Sequence, residues 1–255
     1  MENIMYIIFF LFGTIFGSFC HVVATRMSKE ESIISPPSHC HLCNHKLRWY
    51  ELIPVISFII QKGKCRNCKT KLPPSYLIVE LVTGILFCVC YHVFGISIEL
   101  LIGLIFISSL IIVIISDIEY MIILDEVLMF SSLIIIIISI IGYGFETTAF
   151  SIYSGIGAFL TMYVVKILGD KAFKRESLGG GDIKLMFFFG IVLGYALSVC
   201  TIFLATFIAF PIALVILFLK KDHIIPFGPF LSISAIILFI SQITFSDIIY
   251  YLIGL

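Results

Sequence analysis

The chain has 255 residues, 60% of them hydrophobic and 13% charged, with sixteen basic side chains against sixteen acidic ones. A soluble domain carries about twice that share of charge, and zero net charge gives no footing for nucleic acid as a partner. Apolar runs long enough to cross a bilayer recur throughout, so the composition excludes a soluble protein and predicts a polytopic membrane protein.

The first apolar stretch, Ile4 to Val23, has no basic region before it and no small-x-small cleavage site. It reads as a retained helix rather than a removed signal peptide. Residues 27–74 then differ from everything after them. They hold the only Trp and two Cys-x-x-Cys pairs, "CHLC" (Cys40, Cys43) and "CRNC" (Cys65, Cys68), separated by 21 residues. Two such pairs match a tetrahedral zinc site with four thiolate ligands. His39, His41 and His45 crowd the first pair and leave a set of three cysteines and one histidine open. Disulfides are the rival, disfavoured if the loop faces the reducing cytoplasm. So short a loop cannot build a core of its own, which a metal staple would remedy. Four protein ligands leave no place for substrate, so the zinc is expected to be structural. Cys20, Cys88, Cys90 and Cys200 fall inside apolar spans and read as small buried hydrophobes.

Eight spans are predicted, near 4–24, 75–94, 97–116, 127–143, 148–168, 183–197, 199–219 and 229–250. Nine basic residues lie between Arg26 and Lys71, none from Leu72 to Val165, five between Lys166 and Lys184, and the last two are Lys220 and Lys221. With eight spans and the N-terminus outside, all sixteen fall on one side, which the positive-inside rule makes the cytoplasm. The expected organisation is all-α: a first transmembrane helix (1–26), a cytoplasmic zinc-stapled loop (27–74) and a membrane core of about seven helices (75–255).

Ionisable groups in such a chain are candidates for function. Asp125 precedes a long apolar helix and can cap it. Glu80 falls about one turn into the second span with its role open, and Glu119 reads as an interfacial charge. Asp117 ends the third span, where the helix dipole disfavours a carboxylate, so capping explains it poorly. Asp182 follows Gly179, Gly180 and Gly181, which allow positive φ and close backbone approach, although a plain flexible linker would look similar. Two acids at one membrane level suggest a pair sharing a proton. One would act as base on water while the other donates to a carbonyl oxygen, as in aspartic proteases.

Six stretches occur in order: "GTIFGSFCHVVATRM" (13–27), "YELIPVISFI" (50–59), "PSYLIVEL" (74–81), "SDIEYMIILDE" (116–126), "LGGGDIKL" (178–185) and "IPFGPFL" (225–231). Together they resemble the type IV prepilin peptidase family, membrane aspartic proteases of the Gly-x-Gly-Asp type. The resemblance covers nearly the whole chain. It implies that Asp117 and Asp182 are catalytic, with Gly179 to Gly181 bending the backbone around them. It implies type IV prepilins or pseudopilins as substrates, cleaved between Gly and Phe at the cytoplasmic face of the bacterial inner membrane. It also implies N-methylation of the new terminus by S-adenosylmethionine, with Glu51 and Ser57 singled out as methyl-transfer or substrate contacts. Glu30, Glu31, Glu119, Glu126 and Glu176 join Glu51 as anionic groups for a basic leader. The chain departs from the family at His21 and Leu52, where Asn is usual, and at Ser28 and Leu124, where Pro is common. His21 and Leu52 bear on methylation, so a peptidase without it stands as an alternative. A zinc-stapled transporter or scaffold is the rival from another class, but the repeated broken spans it predicts are not found.

Overall fold

The computed structural model describes residues 2–40, 42–174, 178–218 and 226–253. His41, Glu176, Lys220 and Lys221 therefore lie outside the described residues. The chain divides into two compact units, Met1–Leu100 and Leu101–Leu255.

The first unit is built on α1 (Glu2–Met27) and α3 (Ser75–Phe94), with the polar loop and the short α2 (Ile56–Ile60) between them. Lipid supplies no hydrophobic force to press helices together, so small residues must let the backbones approach. Gly13 and Gly17 do this on α1. A Cβ at Gly13 would lie 2.8 Å from the Cα of Gly84, and one at Gly17 would lie 2.8 Å from Thr83 Oγ1. Further along, the buried His21 ring stacks on Tyr76 with centroids 4.0 Å apart, and its Nε2 lies 3.4 Å from Ser75 Oγ.

Beyond the unit boundary continue α4 (Ile98–Tyr120), α5 (Asp125–Tyr143), α6 (Phe145–Phe173), α7 (Gly180–Leu193), α8 (Tyr195–Phe218), α9 (Gly228–Ser241) and α10 (Phe245–Ile253). α7 touches α5, α6, α8 and α9. From Leu185 onward it is apolar on every side, and Phe188 and Phe189 are fully buried. A helix of that character belongs inside a protein rather than against lipid. Phe106 of α4 meets Phe188 at 5.2 Å and Phe239 of α9 at 5.5 Å. A Cβ at Gly190 of α7 would sit 2.5 Å from the Cα of Gly155 on α6, so these backbones nearly touch. Ser109 Oγ donates to Ser131 Oγ at 2.7 Å, tying α4 to α5 with the polar glue that spans use.

Among the described residues, six helices are long and apolar enough to cross a membrane: α1, α3, α4, α5, α6 and α8. The expected spans at 183–197 and 229–250 turn out differently. α7 and α9 have 14 residues each, rising about 21 Å against a hydrocarbon core of about 30 Å. α7 starts earlier than the span expected at 183–197, at Gly180, and stops before Gly194, whose φ is +78°. The span expected at 229–250 breaks between α9 and α10, where "TFSD" forms a reciprocal cap. The Thr244 amide donates to Asp247 Oδ2 at 2.8 Å, and the Asp247 amide donates to Thr244 Oγ1 at 3.3 Å, which starts α10 as a new helix.

Three connections are reduced to almost nothing. Gly95, Gly144 and Gly194, at φ +61°, +85° and +78°, each end one helix and lead into the next. Each donates its amide to the carbonyl four residues back, on Tyr91, Ile140 and Gly190. Positive φ is the reason glycine stands at all three.

Candidate functional site

The four loop cysteines come from two equivalent turns offset by 25 residues. In the first, the Cys40 amide donates to His45 O at 3.0 Å and the Asn44 amide to Cys40 O at 2.9 Å. In the second, the Cys65 amide donates to Thr70 O at 2.8 Å and the Lys69 amide to Cys65 O at 3.0 Å. Short bridges close both turns, His39 with Lys46 and Lys64 with Lys71. Facing one another, the turns bring all four sulfurs within 4.8 Å, with Cys40–Cys68 at 3.7 Å and Cys43–Cys65 at 3.9 Å. A tetrahedron with metal–sulfur bonds of about 2.3 Å has edges of about 3.8 Å, so the sulfurs fit a zinc-sized ion. They are too far apart for disulfides, and all four are free. Of the histidines beside the first cysteine pair, His39 Nδ1 lies 3.0 Å from Pro37 O and His45 Nε2 lies 3.4 Å from Glu51.

The thiols are prepared unequally. The Cys43 and Leu42 amides point at Cys40 and hold its thiol below the ordinary value. Cys68, hydrogen-bonded to Thr70, drops to about 6. Although the Cys68 amide draws it down, Cys65 is pushed up to about 11, because burial and the Cys68 and Cys40 sulfurs oppose a further charge. A bound cation would displace the remaining protons.

Glu51 lies in a single 3-10 turn, Trp49–Glu51, which packs on α2, the helix carrying the half-buried Ser57. Burial pushes the Glu51 carboxyl up, but the Arg48 amide at 2.9 Å and His45 outweigh it, and the group ends below its ordinary value. Its other oxygen, Oε1, is buried with no hydrogen-bond partner among the described residues. Glu80, whose role the sequence left open, anchors this loop: Oε2 accepts the Val55 amide at 2.7 Å. Val55 stands at φ +61°, ψ −55°, a strained conformation for a β-branched residue.

In the second unit, Asp117 and Asp182 are each 7% exposed. α4 runs one turn beyond the expected end, so Asp117 lies inside its last turn, and Met121 at φ +56° terminates the helix. Asp182 is the third residue of α7 and reaches back to the amide of Gly179, the residue before the helix. That is half of a capping box. The Gly228 amide points at the Asp117 carboxylate, and the negative charge of Asp117 acts directly on Asp182. None of Gly179, Gly180 and Gly181 takes a positive φ. What matters is space, since a Cβ at Gly181 would lie 2.7 Å from Ile123 Cβ.

Two neighbours escaped sequence reasoning. Gly228 lies against Asp117, where a Cβ would come 2.5 Å from Oδ2. The only signal was its place in "PFGPFL". Lys184, one turn into α7, pairs with Asp125. Asp125 therefore does not cap α5 with its side chain. The capping position is Leu124, and Asp125 is the first helical residue, its carboxylate taken by the lysine.

A family model described as the bacterial peptidase A24 N-terminal domain matches residues 11–94, and one described as the type IV leader peptidase family matches 104–214. A prepilin leader peptidase/N-methyltransferase of Bacillus subtilis (strain 168) is 34% identical over 91% of this chain and 93% of its own. One of Vibrio cholerae serotype O1 is 31% identical over 94% of this chain and 98% of its own. One of Pseudomonas aeruginosa is 26% identical over 88% and 86%. No solved structure matches. Matches that cover both units, in the order the motifs predict, mean that this chain belongs to the type IV leader peptidase family.

Proposed function

We propose that this protein cleaves the basic leader from type IV prepilins or pseudopilins and methylates the new N-terminus. One observation carries the reading: two buried aspartates, brought from separate helices, lie close enough for one charge to act on the other, and each is addressed by a glycine amide. Such a pair holds one proton between two carboxyl groups. The ionised member takes a proton from water, and the protonated member donates to the scissile carbonyl oxygen as water attacks its carbon. Collapse of the tetrahedral intermediate returns a proton to the leaving amine and separates Gly from Phe. Asp117 and Asp182 are the catalytic residues of this reading, and Gly179 to Gly181 leave room for an extended substrate strand. With all basic groups on the cytoplasmic side and the N-terminus outside, the pair meets the leader where it emerges.

Cys40, Cys43, Cys65 and Cys68 would hold a structural zinc ion, which braces a loop too small to fold on apolar burial alone. For methylation, S-adenosylmethionine supplies an electrophilic methyl group when bound. The orphaned Glu51 Oε1 fits an incoming N–H donor such as the new terminal amine, and Ser57 belongs to α2, the helix on which the Glu51 turn packs.

The test is cleavage of a prepilin with a Gly-Phe junction in liposomes by wild type, Asp117→Asn, Asp125→Asn and Asp182→Asn. Loss in the 117 and 182 variants alone supports the pair. A dead 125 variant beside an active 117 variant reassigns the partner, and an inactive wild type sinks the peptidase reading. Mass spectrometry of the processed pilin decides methylation separately, because an unmodified terminus leaves a peptidase only.

A further inference from the structure

The loop of the first unit carries an apolar wedge beside a group of cations. Ile56, Ile59 and Ile60 recur at i, i+3 and i+4 of α2 and share one side of it. They are 51%, 62% and 74% exposed. Phe58 points the other way, against Gly63, where a Cβ would come within 3.0 Å of its ring. At the end of α2, Ile60 joins Lys62, Lys64, Arg66 and Lys69 around an open cavity of about 430 Å³, and no carboxylate lines it. Lys62 and Lys69 occupy left-handed positions, at φ +53° and +61°, which Gly or Asn would take at less cost. The patch extends to the chain's only tryptophan. Arg66 lies 5.3 Å from the centre of the Tyr50 ring, and that ring meets Trp49 edge-on at 5.7 Å, with Trp49 77% exposed.

An apolar face rimmed by lysine and arginine, with a tryptophan at its edge, is the chemistry of a segment lying in a membrane interface. The loop is also tethered there, because both its ends run into the apolar helices α1 and α3. Residues 27–74 hold eight cations against three acids. Among the described residues, no carboxylate forms an ion pair with Lys62, Lys64, Arg66 or Lys69, and none lines the cavity they share. The cations are thus left to face an external anion. We propose that α2 and the second cysteine turn lie on the bilayer surface. Ile56, Ile59, Ile60 and Trp49 dip to the acyl boundary, and Lys62, Lys64, Arg66 and Lys69 bind the phosphates of anionic phospholipids. This goes beyond leader cleavage and does not depend on it.

Trp49 is a built-in probe. The full-length protein is placed in nanodiscs of phosphatidylcholine, alone or mixed with phosphatidylglycerol, with bromine on the acyl chains near the headgroup as quencher. Wild type is compared with Ile59→Ser/Ile60→Ser and with the fourfold variant Lys62→Gln, Lys64→Gln, Arg66→Gln and Lys69→Gln. Metal content of each preparation shows that the cysteine turns are intact. The expected result is at least twofold stronger quenching with phosphatidylglycerol, reversed by high salt and lost in both variants. Quenching that is absent, equal in the two lipids, or retained in either metal-loaded variant overturns the proposal.

Discussion

A methyl group does not fit at Gly228, since it would lie 2.5 Å from the Asp117 carboxylate. Gly228→Ala must therefore turn that carboxylate or push α9 away. A displacement of this size costs about a hundredfold in rate when it misplaces a reacting group. The expected outcome is that loss in prepilin cleavage with the metal content of the loop unchanged. Lys184 is the contrasting case. It and Asp125 are 52% and 45% exposed, and such pairs contribute about 0–1 kcal/mol. Lys184→Met should thus lower cleavage by no more than about fivefold. A rate as low as that of Asp182→Asn would mean that the lysine reaches the reacting atoms. The aspartates were legible in the sequence because a carboxylate in an apolar chain is costly and calls for a reason. Their neighbours were not. Lys184 stands 59 positions from Asp125, and no local pattern spans such a gap.

Between elements, α6 and α7 cross with their backbones nearly touching at Gly155 and Gly190. Gly190→Leu should lower stability by about 1–3 kcal/mol, or more because backbone rather than side chain is in the way. Thermal unfolding in detergent would read this, with metal retention reporting on the first unit separately. Val55 offers a change in the opposite direction. Its φ of +61° stores about 1–3 kcal/mol of strain, and glycine would release it. The Val55→Gly loop should resist proteolysis at least as well as wild type, provided Glu80 still accepts the amide. Most helices could be read from hydropathy, since apolar runs separated by single glycines need little interpretation. The split between α9 and α10 could not, because one polar cap of four residues is averaged away in any window long enough to find a span. The shortness of α7 was hidden for another reason: its sequence is apolar whether protein or lipid surrounds it.

At the scale of the whole molecule, the candidate groups are divided between two units: the cysteines and Glu51 in the first, the two buried aspartates in the second. Metal removal should unfold the loop while leaving the helices of the second unit intact, seen as a change in Trp49 emission with little loss of far-ultraviolet helix signal. Glu51 adds a dependence on pH. Its folded carboxyl is held below the ordinary value, so its stabilising effect is complete above the usual carboxylate range and fades as pH falls through the folded value. Glu51→Gln should flatten the acid arm of loop stability followed by Trp49. The single-glycine connections bear on how the protein is made. Gly144 alone joins α5 to α6, and Gly194 alone joins α7 to α8. With no length of chain to translocate at these points, each pair must leave the insertion machinery as one hairpin. A ribosome paused after the α5–α6 hairpin would then leave the Gly155 face of α6 without Gly190 of α7, and such intermediates would be the ones cleared by membrane quality control.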